Sequence, residues 1–283
     1  MTRAPSPAAL HTLTAGSSGP RIAFLHGLFG QGRNWQQIAK GVVGEGGSDA
    51  RALMIDLPDH GRSPWTDDFS YETYAARVAD TISAWAGDEP VTLVGHSLGG
   101  KTAMIAALQH PAGFEKLCVV DIAPRSYHNL HRFAGYIAGM QALPLEELTS
   151  RRDAEERFAQ VEPDPGVAAF LLQNLRRAGD SWAWQCNLQL VSRDAARGSA
   201  SRIADFPYAV NAGDPLPAPS PFGGPTVWLA GSESGYVAEE DTERMRELFP
   251  AVRKVTVKGA GHWVHTDAPQ VVIETLRRLL AVR

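Results

Sequence analysis

Ser97 lies in Gly95-His96-Ser97-Leu98-Gly99, a G-x-S-x-G directly after the apolar run Val91-Thr92-Leu93-Val94 and before a helical pattern, Gly100 to Gln109. A serine on a sharp strand-to-helix turn needs small neighbours, because backbone segments approach closely there. Such a turn exposes the hydroxyl at the sheet edge and aims the Leu98 N–H at a developing oxyanion. The helix N-terminus adds favourable potential for that negative charge. The chemistry that suits this arrangement is nucleophilic attack on an acyl carbonyl. A glycine-rich turn with an incidental serine is the plainer reading, and the strand–turn–helix context argues against it.

Two further segments carry complementary residues. His26-Gly27-Leu28-Phe29-Gly30 ends an earlier apolar run. It can supply the second N–H donor of an oxyanion hole, from Leu28 or, alternatively, Phe29. His26 itself reads as a residue that holds this loop. Gly259-Ala260-Gly261-His262-Trp263 follows the last apolar run and precedes the last helix. A serine hydroxyl needs an imidazole base within hydrogen-bond reach. His262 has the right chain order and a glycine-flanked loop, and His265 is the runner-up. A buried carboxylate must then orient the histidine. Asp121, ending Leu117-Cys118-Val119-Val120, is favoured, because a charge there is costly unless paired. Glu233, in the loop Ser232-Glu233-Ser234-Gly235 after the next-to-last run, is the alternative.

The elements that must position these residues follow from periodicity. Short runs apolar on both faces (Arg21–His26, Arg51–Asp56, Val91–His96, Lys116–Asp121, Thr226–Ala230, Arg253–Val257) read as strands of a helix-covered parallel sheet. Helical spacing recurs between them, as in Tyr71, Tyr74, Val78 and Ile82 after the N-cap Ser70. The last helix is expected to open at Asp267-Ala268-Pro269-Gln270 with a capping-box-like start. Its expected inward stripe is Val271, Val272, Thr275, Leu276, Leu279 and Leu280. This alternation predicts a doubly wound α/β sheet. Between Asp121 and Thr226 it breaks into helical patterns (His128–Gln141, Pro144–Val161, Val167–Ala178) and a Pro-rich stretch, Pro215 to Pro219. An insertion after a strand's C-terminal end lies over the ligand-binding edge of such sheets. Residues 1–124 and 223–283 are therefore expected to form the core, and 125–222 a mainly helical cap.

Composition bounds the partners. The chain has 283 residues, 44% hydrophobic and 20% charged, with a net charge of −4. Its length permits a substantial core, and its charge gives no basis for holding nucleic acid or an anionic membrane. The two cysteines, Cys118 and Cys186, form no metal-spaced pair, and Cys118 reads as a buried small hydrophobe. No apolar run approaches the ~18 residues of a membrane span. Met1 to Ala9 lacks the apolar core of a secretory signal, so a cytoplasmic location is expected. Neither a metal nor an organic cofactor is required, and a monomer or homodimer is expected.

These residues resemble the α/β-hydrolase superfamily from about Leu10 to the C-terminus, closest to the YbfF-like and ABHD11-type serine esterases. The resemblance rests on His26-Gly27-Leu28-Phe29-Gly30, Asp59-His60-Gly61-Arg62-Ser63, Gly95-His96-Ser97-Leu98-Gly99-Gly100-Lys101 and Asp121-Ile122-Ala123-Pro124. Gly261-His262-Trp263 and Trp182-x-Trp184 add to it. It implies an α/β-hydrolase fold and hydrolysis of carboxylic esters or thioesters, with Ser97 as nucleophile and His262 as base. It also implies Asp121 as acid, with Ser234 standing where the usual aspartate would be. Phe29, Tyr127, Tyr136, Trp182 and Trp184 are candidates for an apolar acyl pocket, and Arg125 for contact with an acidic leaving group or a surface ion pair. Perhydrolase-type haloperoxidases, carbon–carbon bond hydrolases and menaquinone-pathway-type lyases share these core motifs. A non-catalytic binding protein on the same fold is the remaining alternative.

Overall fold

The computed structural model describes residues 9–44, 49–127, 131–209 and 219–282. From the N-terminal side, β1 (Thr12–Ala15), β2 (Arg21–Leu25), α1 (Gln36–Val43), β3 (Arg51–Ile55), α2 (Tyr71–Ala86), β4 (Val91–His96), α3 (Leu98–Gln109) and β5 (Phe114–Val120) alternate as expected. After a long insertion come β8 (Thr226–Gly231), α8 (Thr242–Leu248), β9 (Val252–Val257), a short turn of helix α9 (Val264–Asp267) and α10 (Pro269–Ala281). The insertion contributes α4 (His131–Ala142), α5 (Arg151–Phe158), α6 (Pro165–Leu172), the strands β6 (Leu175–Ala178) and β7 (Ser181–Trp184), and α7 (Leu188–Ala195).

The main sheet has seven strands in the order β1-β3-β2-β4-β5-β8-β9. Only β1, an edge strand with alternating threonines and no fully apolar run, is antiparallel to its neighbour. Successive residues of β2 face opposite sides, as strand geometry demands. Ile22 and Phe24 join Trp35, Ile38, Val272 and Leu276 under α1 and α10. Ala23 and Leu25 join Tyr74, Val78 and Met104 under α2 and α3. Cys118 is fully buried, and burial pushes its thiol up to about 12. Among the described residues, no helix is long and apolar enough to cross a membrane.

Several elements differ from the sequence expectation for identifiable reasons. The helix expected over Val167–Ala178 stops at Leu172, and the remainder forms a β6–β7 hairpin. Its two-residue turn puts Gly179, at φ 63°, where type II′ hairpins place glycine, and this turn overrides the helical period. The helix expected over Pro144–Val161 is reduced to Arg151–Phe158, because the Ser150 hydroxyl accepts from Asp153 N and starts a new helix there. α10 begins at Pro269 without a side-chain cap, since the Asp267 carboxylate instead accepts from Gly261 N at 2.8 Å. Val271 is 42% exposed while Ile273 is buried, so the inward stripe is Val272, Ile273, Leu276 and Leu279. His128, Pro215 to Ala218 and the N-terminal residues to Ala8 lie outside the described residues.

The insertion has its own apolar cluster, in which Ile137, Met140, Phe158, Leu171, Trp182 and Val191 pack against Phe29 of the sheet region. A second tie is polar. Asp59, fully buried at φ 66°, accepts from Thr66 N (2.7 Å), Thr66 Oγ1 (2.6 Å), Tyr74 Oη (2.7 Å) and Asn187 Nδ2 (2.8 Å). Asn187 also caps α7 and donates its backbone N–H to Asp59 O. A buried carboxylate without a cation is tolerable only while its lone pairs are met. Tyr74→Phe, which removes one of these donors, is expected to destabilise the fold by about 2 kcal/mol in urea unfolding. A change within about 0.5 kcal/mol, the range of ordinary surface substitutions, would show that Asp59 does not depend on that donor.

Candidate active site

Ser97 occupies the turn between β4 and α3 with φ 53° and ψ −118°, a region that non-glycine residues enter at a cost of about 1–3 kcal/mol. The turn is held by Ser97 N donating to Val120 O (3.1 Å) and by Lys101 N donating to Ser97 O (3.0 Å). Its flanking glycines are sterically required. A Cβ at Gly95 would sit 2.2 Å from Gly99 O, and one at Gly99 would sit 2.5 Å from His26 O. Leu98 is the first residue of α3, so its N–H has no intrahelical acceptor and is available to an anion.

The loop after β9 brings His262 to Ser97, with Nε2 3.1 Å from Oγ. Its Nδ1 lies 2.8 Å from Asp121 Oδ2. A carboxylate oxygen accepts, so Nδ1 carries the proton and Nε2 presents its lone pair to the serine hydroxyl. Asp121 follows β5 at φ 50° and is fully buried. Its Oδ1 accepts from Gly231 N at 2.9 Å, and its Oδ2 also accepts from the Ser234 hydroxyl. Ser234, quoted from sequence only as an occupant of another residue's place, is thus a direct partner of the carboxylate. Glu233 is exposed, and its backbone N–H donates to Ala260 O. Asp121 occupies the histidine nitrogen for which Glu233 was the alternative partner.

Two residues to which sequence patterns gave no role hold His262 in place. Tyr236 stacks on its ring at 3.9 Å and 23°. His96 Nε2–H donates to His262 O at 2.8 Å, and its ring packs 4.7 Å from that of His262. Neither contact follows a spacing rule, because each joins loops distant in sequence. His265 is turned away from the serine, stacked at 4.7 Å on Trp35 and packed against His96.

The opposing loop turns through a Gly30 N to Gly27 O bond of 2.9 Å with Phe29 at φ 62°. His26 fixes it from below. Leu57 N donates to His26 Nε2 at 3.0 Å, so the proton is on Nδ1, which donates to Gly27 O at 2.8 Å. The insertion fixes it from above, where Asn174 Nδ2 and Gln173 Nε2 donate to Phe29 O at 2.8 and 3.2 Å.

Two cavities meet at Ser97. The larger is walled by Leu28, Leu98, Ile122, Tyr127 and side chains of the insertion such as Ile137 and Val191. The smaller is walled by Leu28, Phe29, Tyr136, Phe170, His262 and Trp263. Trp182 and Trp184 line neither, correcting the sequence expectation. The Trp182 indole is buried inside the insertion and donates to Leu148 O at 3.0 Å, and Trp184 packs on the same cluster. A W-x-W on a hairpin places both rings on one face, and here that face serves the insertion's own core. Arg125 lies 3.3 Å from the Asp241 carboxylate and over the Tyr127 ring, an ion pair as anticipated. Lys101, one turn beyond Ser97, donates from Nζ to Ala204 O and Asp205 O, both at 2.6 Å, and ties α3 to the insertion. Burial lowers its ammonium to about 7. Among the described residues, no cluster of side chains could hold a metal ion.

A family model described as "alpha/beta hydrolase fold" matches residues 20–269. The chain is 35% identical over 281 residues to a mouse protein named "sn-1-specific diacylglycerol lipase ABHD11", covering 98% of this chain and 86% of that one. It is 29% identical over 259 residues to "Esterase YbfF" of Escherichia coli, covering 92% of each. Among solved structures, one titled "Marine microorganism esterase" superposes with a TM-score of 0.85 at 30% identity, covering 96% of this chain and 99% of that one.

The buried histidines around the site give it an acid limit. Burial pushes His26 down to about 3 and His265 to about 4, and it holds His96 well below the ordinary range. In the unfolded chain these imidazoles take up protons near pH 6.5. The folded state resists protonation, so its stability is fully present above that pH and is lost as pH falls toward 3–4. Urea unfolding is expected to show a decline starting just below pH 6.5, by at least about 1.4 kcal/mol per pH unit. A flat profile between pH 6.5 and 5 would contradict the burial of neutral imidazoles at these positions.

Proposed function

The chain belongs to the alpha/beta hydrolase fold family, and from that premise we propose that it is a serine hydrolase of carboxylic esters or thioesters working through an acyl-enzyme. The observation that carries this reading is the alignment of Asp121, His262 and Ser97, with 2.8 Å and 3.1 Å separating successive partners. It is supported by relatives named as esterases and a lipase.

In this reading Ser97 Oγ attacks the acyl carbon while His262 Nε2 takes its proton. The negative charge on the carbonyl oxygen falls between the N–H groups of Leu28 and Leu98, each contributing roughly 3 kcal/mol at the transition state. His262 then protonates the departing alcohol or thiol, and the acyl–leaving-group bond breaks. Water, deprotonated by His262, attacks the acyl-serine and releases the acid and free Ser97. Asp121 keeps the proton on His262 Nδ1 and stabilises the imidazolium, while Ser234 and Gly231 hold the carboxylate still. No step calls for a cofactor. We read residues 1–124 and 223–283 as the catalytic core and 125–222 as a cap, because walls of the larger cavity come from both parts. The substrate is then a small-molecule ester, enclosed between the two.

Two measurements test this. A fluorophosphonate probe is expected to label the wild-type protein and not Ser97→Ala; a folded wild type that stays unlabelled would remove the hydrolase reading. Asp121→Asn is expected to lower kcat on a p-nitrophenyl ester about 10⁴-fold, because the histidine loses its tautomer. Glu233→Gln is expected to leave kcat within about twofold of wild type. The reverse pattern would transfer the acid's role to Glu233.

A further inference from the structure

The two cavities share Ser97, Leu28 and Phe133 but divide the remaining machinery. Leu98 borders only the larger, and His262 only the smaller. That division orients an ester, given the hydrolysis proposed above. As the Ser97 Oγ–acyl carbon bond forms, the proton of Ser97 passes to His262 Nε2 and from there to the leaving oxygen or sulfur. The leaving group must therefore stand within hydrogen-bond reach of His262. The carbonyl oxygen points to the Leu28 and Leu98 amides, and the acyl chain takes the remaining direction, away from the histidine. We infer that the larger cavity takes the acyl chain and the smaller takes the alcohol or thiol, and that the acyl chain is an uncharged hydrocarbon.

The second half of the inference rests on how the larger cavity's polar groups are engaged. Lys101 Nζ donates to the carbonyls of Ala204 and Asp205. The Asp194 carboxylate accepts from the Ser201 hydroxyl and from the Arg202 and Ile203 amides. Tyr71 Oη donates to Ile203 O, and Tyr127 Oη donates to Tyr236 O while accepting from Ala123 N. With these groups turned to one another, the wall offers a ligand Ile122, Ile137, Val191 and Ile203. Lys101 Nζ also lies 4.8 Å over the Tyr127 ring, so a charged acyl terminus would have to draw it from these partners or lie unpaired, at the cost of a buried charge. The smaller cavity differs in being aromatic, with Phe170 and Trp263 edge to face at 6.0 Å.

Two substrate series separate the cavities. One varies the acyl chain from acetyl to octanoyl on p-nitrophenol, with succinyl as its charged member. The other varies the alcohol on a constant butyryl group. Ala195→Phe, which fills the larger cavity, is expected to lower the octanoyl-to-acetyl ratio of kcat/KM about tenfold and to keep the order of the alcohols. Val191→Ala, which widens the same cavity and avoids overpacking, is expected to move the acyl preference to longer chains. Phe170→Ala, in the smaller cavity, is expected to reorder the alcohols and keep the acyl order. Wild-type preference for succinyl over butyryl, or Ala195→Phe and Val191→Ala changing only the alcohol series, would overturn the assignment. Failure of the wild type to hydrolyse any member of either series would instead overturn the hydrolase reading on which the assignment rests.

Discussion

A carboxylate stripped of water is costly unless donors meet its lone pairs, and that requirement organises the site around Asp121. The residue follows β5, the strand beside β4, with no exposed surface. Gly231, at the end of β8, and Ser234 and His262, in the loops after β8 and β9, supply donors. Meeting the carboxylate's needs therefore brings three chain segments into register. It also leaves His262 with only one free nitrogen, directed at Ser97. The orientation of the His262 ring thus follows from the desolvation of the Asp121 carboxylate.

The same logic recurs where the insertion joins the sheet region. Asp59, another buried carboxylate without a cation, gathers Tyr74 from α2, Thr66 from its own loop and Asn187 from the start of α7. Lys101 is its basic counterpart, drawing the end of the insertion onto α3 through two carbonyls. These polar ties and the apolar cluster around Phe29 fix the insertion over Ser97. Directional bonds set the position, and burial of hydrocarbon supplies most of the drive. The cavities beside the serine are a product of both.

Strain is concentrated at the edge of the sheet that carries Ser97. Phe29, Asp59, Ser97 and Asp121 are the described non-glycine residues with positive φ. Each ends a strand or turns a loop at the same edge of the sheet, and each is held by hydrogen bonds to a separate segment. A backbone that is over-determined in this way can keep a serine hydroxyl and two amides in fixed relation without reorganising during reaction.

Much of this was legible in the sequence, because strand, turn and helix are local. The apolar runs marked six of the seven main-sheet strands, and the glycines around Ser97 marked its turn. Chain order and a glycine-rich loop singled out His262 among nine histidines. The choice between Asp121 and Glu233 was different, since both follow strands on the same side of the sheet. Only the crossing of separate loops decides which carboxylate is buried against His262 and which faces water. Tyr236, His96 and Ser234 owe their contacts to the same convergence, and periodicity says nothing about pairs so far apart. The insertion was least legible. Its hairpin arose where a two-residue glycine turn outweighed a helical period, and its tryptophans turned into their own core. Sequence alone determined which groups could react and the sheet that carries them. Tertiary packing decided which partner each group meets and how the space beside Ser97 is divided, because burial and hydrogen bonding between distant segments are properties of the folded whole.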